Sequence, residues 1–224
     1  MNVSDAIASL MDDPAEFLSK NALTIVGGST LSSGLRIWYL TDSGTIKAAL
    51  SGPGWSGSRT IRHWRAVVTA DTSNRSLFTV KKGSDDAAEF RAYYVAMRQI
   101  DEGVGTTHFT LPSAGGADFM LTSQLTGCTF GVGSQAGGGG GCLVSHIQPA
   151  GSATGRAPGA LGDIGKRALL MAVSKPLGPN ATILETTGAT KISVVGRRNG
   201  GIWTFTKQVR DDATGKITTL ATTL

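Results

Sequence analysis

The chain is short of charge, of aromatic rings and of metal-binding side chains. Of its 224 residues 17% are charged and 6% aromatic, with two cysteines and three histidines. Each shortage excludes something. Two cysteines and scattered histidines form no CxxC or HxxxH pattern, and a structural zinc site needs three or four ligands at such spacings, so no metal is expected. No apolar run approaches the roughly 20 residues that a membrane-spanning helix requires. Residues 1–20 carry Asp5, Asp12, Asp13 and Glu16 where a Sec-type signal peptide would have a basic start and an apolar core, so none is read. Cys128 and Cys142 could form one disulfide, but without a secretory signal a reducing compartment and free thiols are expected. The net charge of +5 comes from basic residues spread along the chain, with no polyanion-binding tail, and nucleic acid is not an expected partner.

What is abundant is glycine, 31 residues of it, which with the scarcity of charge points to short strands and tight turns and away from an all-helical fold. The length suits a single domain over 1–224. Ser4 and Asp13 stand where N-caps would, the second followed by Pro14, so two short peripheral helices broken near Asp12 are expected within 1–20. Strands rich in β-branched and aromatic residues are expected at 35–40, 66–70 and 77–81. Ser84, Asp85 and Asp86 then precede an apolar stripe of Ala88, Tyr93, Val95, Ala96 and Ile100, which predicts a helix over 85–100 ended by Gly103. Strands follow at 106–111, 119–125, 128–132 and 143–148, then a Gly, Ala and Pro-rich loop to about Leu161 and a second helix at 164–173. Closing strands are expected at 182–185, 191–197, 203–209 and 217–221, with the last hairpin turning at Asp212-Ala213-Thr214-Gly215.

Between Asp118 and Arg156 there is no Asp, Glu, Lys or Arg, the longest uncharged segment of the chain and the pattern of a buried central strand pair. It contains Leu125-Thr126-Gly127-Cys128-Thr129 and, eighteen positions after the cysteine, His146 within Ser145-His146-Ile147-Gln148-Pro149; Thr122 lies six positions before the cysteine. A thiol is a strong nucleophile only as the thiolate, and a nearby imidazole is the usual device for lowering its pKa. In a hairpin of these two strands Cys128 and His146 reach the same end of the sheet, in contact if the register allows. Gly127 lets the backbone turn sharply and approach a substrate, and N–H groups around Cys128, at Gly127 and Thr129, are candidates for holding an oxyanion. Thr122 can accept the imidazole N–H, and Gln148 and Pro149 would belong to the substrate loop. Each residue also has a plainer reading: a core cysteine after a turn glycine, a satisfied core histidine, a strand-forming threonine.

Thr122, Cys128 and His146, in Leu-Thr-Gly-Cys-Thr and Ser-His-Ile-Gln-Pro, resemble the site of the cysteine-dependent glutamine deamidases: the cytotoxic necrotizing factor catalytic domain, the Burkholderia lethal factor and the bacterial chemoreceptor glutamine deamidase. The Thr-to-Cys interval matches the last two, the Cys-to-His interval is close to the chemoreceptor enzyme, and the chain length is most like the Burkholderia lethal factor. The resemblance covers residues 119–149 in motif. It implies an α+β fold, a mixed β-sandwich core flanked by α-helices, and a toxin or effector that is exported from a bacterial cytoplasm without a Sec signal and acts in the cytosol of a target cell. It further implies that Cys128 attacks a protein glutamine, that His146 moves the proton, that Thr122 orients His146, and that no cofactor takes part. The implied partner is the target-cell protein carrying that glutamine, with Rho GTPases and translation initiation factor 4A as the precedents.

Two other readings use the same residues. A Cys-His peptidase or amidase needs the same nucleophile and base, and a non-enzymatic β-rich binding module would keep Cys128 in its core. The glycines at 137–141 are not followed by Lys-Ser or Lys-Thr and open a strand, so a phosphate loop is rejected. Arg59, Arg62, His63, Trp64 and Arg65 mix basic and aromatic side chains as a face for nucleic acid or an acidic protein would, but read first as a solvated strand edge, and Asn180-Ala181-Thr182 reads as a chance sequon.

Overall fold

The computed structural model describes residues 1–28, 30–52, 55–70, 87–99, 108–135, 141–148, 177–178, 180–185, 190–211 and 217–222. Helix α1 (Val3–Asp12) is capped by Asn2, two residues before Ser4, whose side-chain oxygen accepts the Asp5 N–H at 2.8 Å. Helix α2 (Pro14–Lys20) starts as expected, with Asp13 accepting the Glu16 N–H at 2.9 Å and Pro14 at the first helical position. Ala6 and Leu10 of α1 and Phe17 and Leu18 of α2 are fully buried and belong to the same core as the strands of the larger sheet.

Thirteen strands follow among the described residues: β1 (Asn21–Val26), β2 (Gly34–Gly52), β3 (Trp55–Val68), β4 (Ala87–Val95), β5 (Met97–Gln99), β6 (Phe109–Leu111), β7 (Phe119–Thr122), β8 (Thr129–Gln135), β9 (Cys142–Gln148), β10 (Thr182–Glu185), β11 (Thr190–Asn199), β12 (Ile202–Asp211) and β13 (Ile217–Thr222). The larger, mixed sheet runs β1-β3-β2-β13-β12-β11-β7-β4 and nearly closes on itself, because β2 pairs with β4 along Gly34 to Thr41 and reaches β13 at Leu50. Among the described residues the second edge of β1 has no strand partner along Leu23; side chains of the facing β11–β12 pair serve it instead. Gln208 accepts the Leu23 N–H at 3.0 Å, Ser193 donates to the Leu23 carbonyl at 2.6 Å, and Gln208 also donates to the carbonyls of Leu18 and Asn21. Burying these polar groups is tolerable because each is bonded.

The smaller sheet runs β10-β8-β9-β5, with β6 sharing the outer edge of β9. One core joins the helices to β1, β2, β3, β4, β7 and β11 of the larger sheet, and in it Trp38 meets Phe90 and Tyr94 at ring distances of 6.4 and 5.8 Å. The other lies between the two sheets, where Phe205 packs on Phe130 and Tyr93 on Phe109 and Trp203. Each such buried ring contributes about 1.5–3 kcal/mol.

The class is therefore mostly-β with two short helices, and the helix expected over 85–100 is corrected to β4 and β5. Ala88, Phe90, Ala92 and Tyr94 alternate onto the helix-side core, and Tyr93 and Val95 onto the inter-sheet core. A strand buried on both faces shows apolar residues at helical as well as strand spacings, and the pairing of β4 with β2 and β7 decides between them. Of the segment 59–65, read as a solvated strand edge, Arg59, Arg62 and Arg65 are exposed, but the strand is an edge only up to Ile61: from Arg62 on, β3 pairs with β1 on one side and with β2 on the other. Arg62 bridges Asp42 at 3.0 Å and lies over the ring of Trp64, which is fully buried. The strand expected at 77–81, the helix at 164–173, the loop up to 161, the turn at 212–215 and most of the glycines at 137–141 fall outside the described residues. β12 and β13 are antiparallel neighbours, in keeping with the hairpin expected there.

Candidate active site between the two sheets

β8 and β9 form the expected antiparallel pair at the centre of the smaller sheet, with Phe130 opposite His146 and Thr129 opposite Ile147. Paired residues share a face and alternate residues return to it, so Cys128, Phe130 and His146 lie on one face while Thr129 lies on the other. That face looks across the inter-sheet core towards β7 and β4. Gly127 has φ +73°, a left-handed turn that suits glycine, and it swings the chain into β8 just after Cys128.

Thr122 stands on β7 of the larger sheet, and its hydroxyl joins the two sheets. The oxygen lies 2.7 Å from the Val95 carbonyl and 2.6 Å from His146 Nδ1. A hydroxyl has one hydrogen and a carbonyl can only accept, so Thr122 donates to Val95 and accepts from Nδ1–H. Neutral His146 is thereby held in the tautomer whose Nε2 carries a lone pair. Nε2 is buried and has no hydrogen-bond partner among the described residues. The imidazole is 0% exposed, and burial pushes its pKa down to about 3, because a charged ring would lose its hydration there. The Phe130 and His146 rings stand nearly perpendicular, with centroids 6.5 Å apart.

Cys128 is 3% exposed. Its thiol is within reach of the Met97 thioether, Sγ to Sδ 3.6 Å, and of the Thr126 carbonyl at 3.7 Å. The expected thiol–imidazole hydrogen bond is not made, since Nε2 is unpartnered. Cys128 and Cys142 are thiols not joined in a disulfide, and burial pushes the Cys142 thiol up to about 12. The Thr129 hydroxyl is buried on the opposite face without a partner among the described residues, and its backbone N–H is the candidate for oxyanion binding. Gln148 pairs with Gln99 of β5 at the end of β9, and Pro149 falls outside the described residues.

The structure thus brings Thr122, His146 and Cys128 into one region, with the first two bonded. Sequence reasoning missed Val95, whose carbonyl fixes the hydroxyl, and Met97, which covers the thiol. No local pattern marks either, since both lie in the segment read as helix.

No family model matches this chain, and no curated protein does. Among the described residues no three His, Cys, Asp or Glu side chains are grouped to hold a metal ion, and no helix is long and apolar enough to cross a membrane.

Proposed function

We propose that the chain is a cysteine-dependent protein glutamine deamidase of the toxin or effector type, acting on a protein in the cytosol of a target cell. The observation that carries this is the Val95–Thr122–His146 relay, which leaves a bare imidazole nitrogen on the same sheet face as a cysteine that follows a turn glycine. The core shared by the two sheets and the packing of α1 and α2 on strands of the larger one support this reading, since the resemblance implies a β-sandwich with helices against it. In the reaction Cys128 Sγ bonds to Cδ of the glutamine amide as its proton passes to His146 Nε2. The tetrahedral intermediate expels ammonia, which takes that proton, and leaves a thioester. Water, deprotonated by Nε2, then adds to the thioester, and the thiol departs to leave glutamate. Thr122 keeps the ring in the tautomer that can accept at Nε2.

The experiment is peptide mass spectrometry of a target-cell lysate, and of purified Rho GTPase and initiation factor 4A, after incubation with the wild type and with Cys128→Ser. A gain of about one dalton on one glutamine with wild type alone is expected of a thiol-dependent deamidase. The same gain with Cys128→Ser removes the proposal, and cleaved backbones in its place identify a Cys-His peptidase.

The burial of both residues favours a second reading, a non-enzymatic β-rich binding module with Cys128 and His146 in its core. In that case no protein changes mass, and Cys128 resists alkylation in every folded variant.

A further inference from the structure

We propose that Met97 is a built-in plug of the thiol site that imitates the substrate glutamine: its side chain occupies the slot of the glutamine side chain, and the site opens when Met97 swings aside. The inference rests on the reading of Cys128 as a nucleophile and adds how substrate reaches it. Met97 is the register partner of His146 across β5 and β9, as Phe130 is across β8 and β9, so Met97, His146 and Phe130 stand side by side on one face. The Met97 thioether reaches across His146's strand to Cys128, with Sδ 3.6 Å from Sγ. A carbon attacked by that sulfur must come to about 3–3.5 Å, so the thioether fills the approach. Methionine and glutamine are both unbranched, and the third side-chain atom is Sδ in one and Cδ, the electrophilic carbon, in the other. Met97 therefore holds an inert atom where the reaction needs a reactive one.

The plug also sets the resting state of the pair. The thiol lies against Sδ and the Thr126 carbonyl, while the fully buried His146 Nε2 has no partner among the described residues. When the methionine leaves, the thiol can rotate towards Nε2 and pass its proton there, forming thiolate and imidazolium. Of the neighbours on this face Met97 is the one built to move. It is half-buried on a three-residue edge strand and has three rotatable bonds, whereas Phe130 is fully buried between Phe205 and His146.

The test measures alkylation of the intact, folded chain by iodoacetamide at neutral pH in wild type, Met97→Ala, Met97→Val and Met97→Leu, with peptide mass spectrometry reporting Cys128 and Cys142 separately. If the open state is populated at about 10% or less, removing the plug raises the Cys128 rate by about tenfold or more. Leucine, which keeps the bulk, stays near wild type. The acceleration disappears when His146→Gln is added, which a merely loosened core would not show. Cys142 is the internal reference: a matched rise there marks general loosening by alanine, and the valine variant, which favours the strand, then decides. Cys128 rates equal to wild type in both truncations overturn the plug. Alkylation indifferent to Met97 beside thiol-dependent glutamine conversion refutes the plug alone; Met97-dependent alkylation without conversion in any protein refutes the deamidase alone.

Discussion

Replacing Thr122 with valine tests the relay at its hinge. The side chains are nearly the same shape, so the change removes the hydroxyl and little else. It leaves His146 Nδ1–H without its acceptor and takes one donor from the Val95 carbonyl, at a place where Thr122 and His146 are both fully buried. A buried polar group left unsatisfied costs about 1–3 kcal/mol, and with the carbonyl's smaller share the expected loss is about 2–3 kcal/mol. For a chain of this size each kcal/mol shifts Tm by about 2–4 °C, so calorimetry should find Thr122→Val melting about 4–12 °C below wild type. Thr122→Ser, which keeps the hydroxyl, should recover most of this. The tautomer gives a second readout: nitrogen NMR of wild type should show His146 neutral with the proton on Nδ1, and in the valine variant that preference should weaken. If a deamidase assay is in hand, the fall in rate should be a large part of the about 10²–10⁴-fold that a positioned general base supplies. A valine variant as stable as wild type, with the Nδ1–H tautomer intact, would refute the relay.

Two further perturbations bear on the buried groups. His146 is held near a pKa of 3 in the fold against 6.5 in the unfolded chain, so its contribution is full above pH 6.5 and is lost as pH falls towards 3. Within that window the unfolded state takes up a proton that the fold refuses, and the unfolding free energy from urea titrations should fall as pH is lowered, with a slope of up to about 1.4 kcal/mol per pH unit. His146→Phe should flatten this slope; His63, held down by burial and by Arg210 and Arg65, leaves a smaller slope of the same sign, and an unchanged slope would show that His146 is not the group responsible. Arg198 is buried and donates to the Asp118 carboxylate at 2.6 and 2.8 Å, to the Pro112 carbonyl at 2.8 Å and to the Gly115 carbonyl at 2.7 Å, with its guanidinium over Trp203. The Asp118 side chain is largely exposed and water replaces its lost donor, so Arg198→Met should cost about 1–3 kcal/mol in urea unfolding, mainly by stripping donors from the Pro112 and Gly115 carbonyls; Arg198→Lys should recover less than half, and a cost below about 1 kcal/mol would show that the 112–118 segment holds without it.

The legible parts of the chain were those where the signal is local. Asp13 followed by Pro14 marks a helix start whatever packs on it, because the cap bonds to a backbone group three residues away. The uncharged run around Cys128 and His146 reads as a buried hairpin because no charged side chain has to be accommodated, and β8 and β9 pair accordingly. The segment 85–100 was misread because its composition suits a helix in isolation; the hydrogen bonds that make it a strand come from β2 and β7, tens of residues away in each direction. Met97 was hidden by the same error, since its place over the thiol depends on β5 pairing with β9.

The sequence by itself determined which side chains with useful chemistry lie in one apolar hairpin, that strands dominate, and where the second helix begins, all through interactions that span a few residues. Only the tertiary structure decided that Thr122 would bond His146 across the gap between two sheets, that the Val95 carbonyl would settle which way the hydroxyl points, and that a methionine would lie against the thiol in place of the imidazole. Those contacts join strands β4, β5, β7, β8 and β9, and a register shift of one residue in any of them would turn the side chain to the other face.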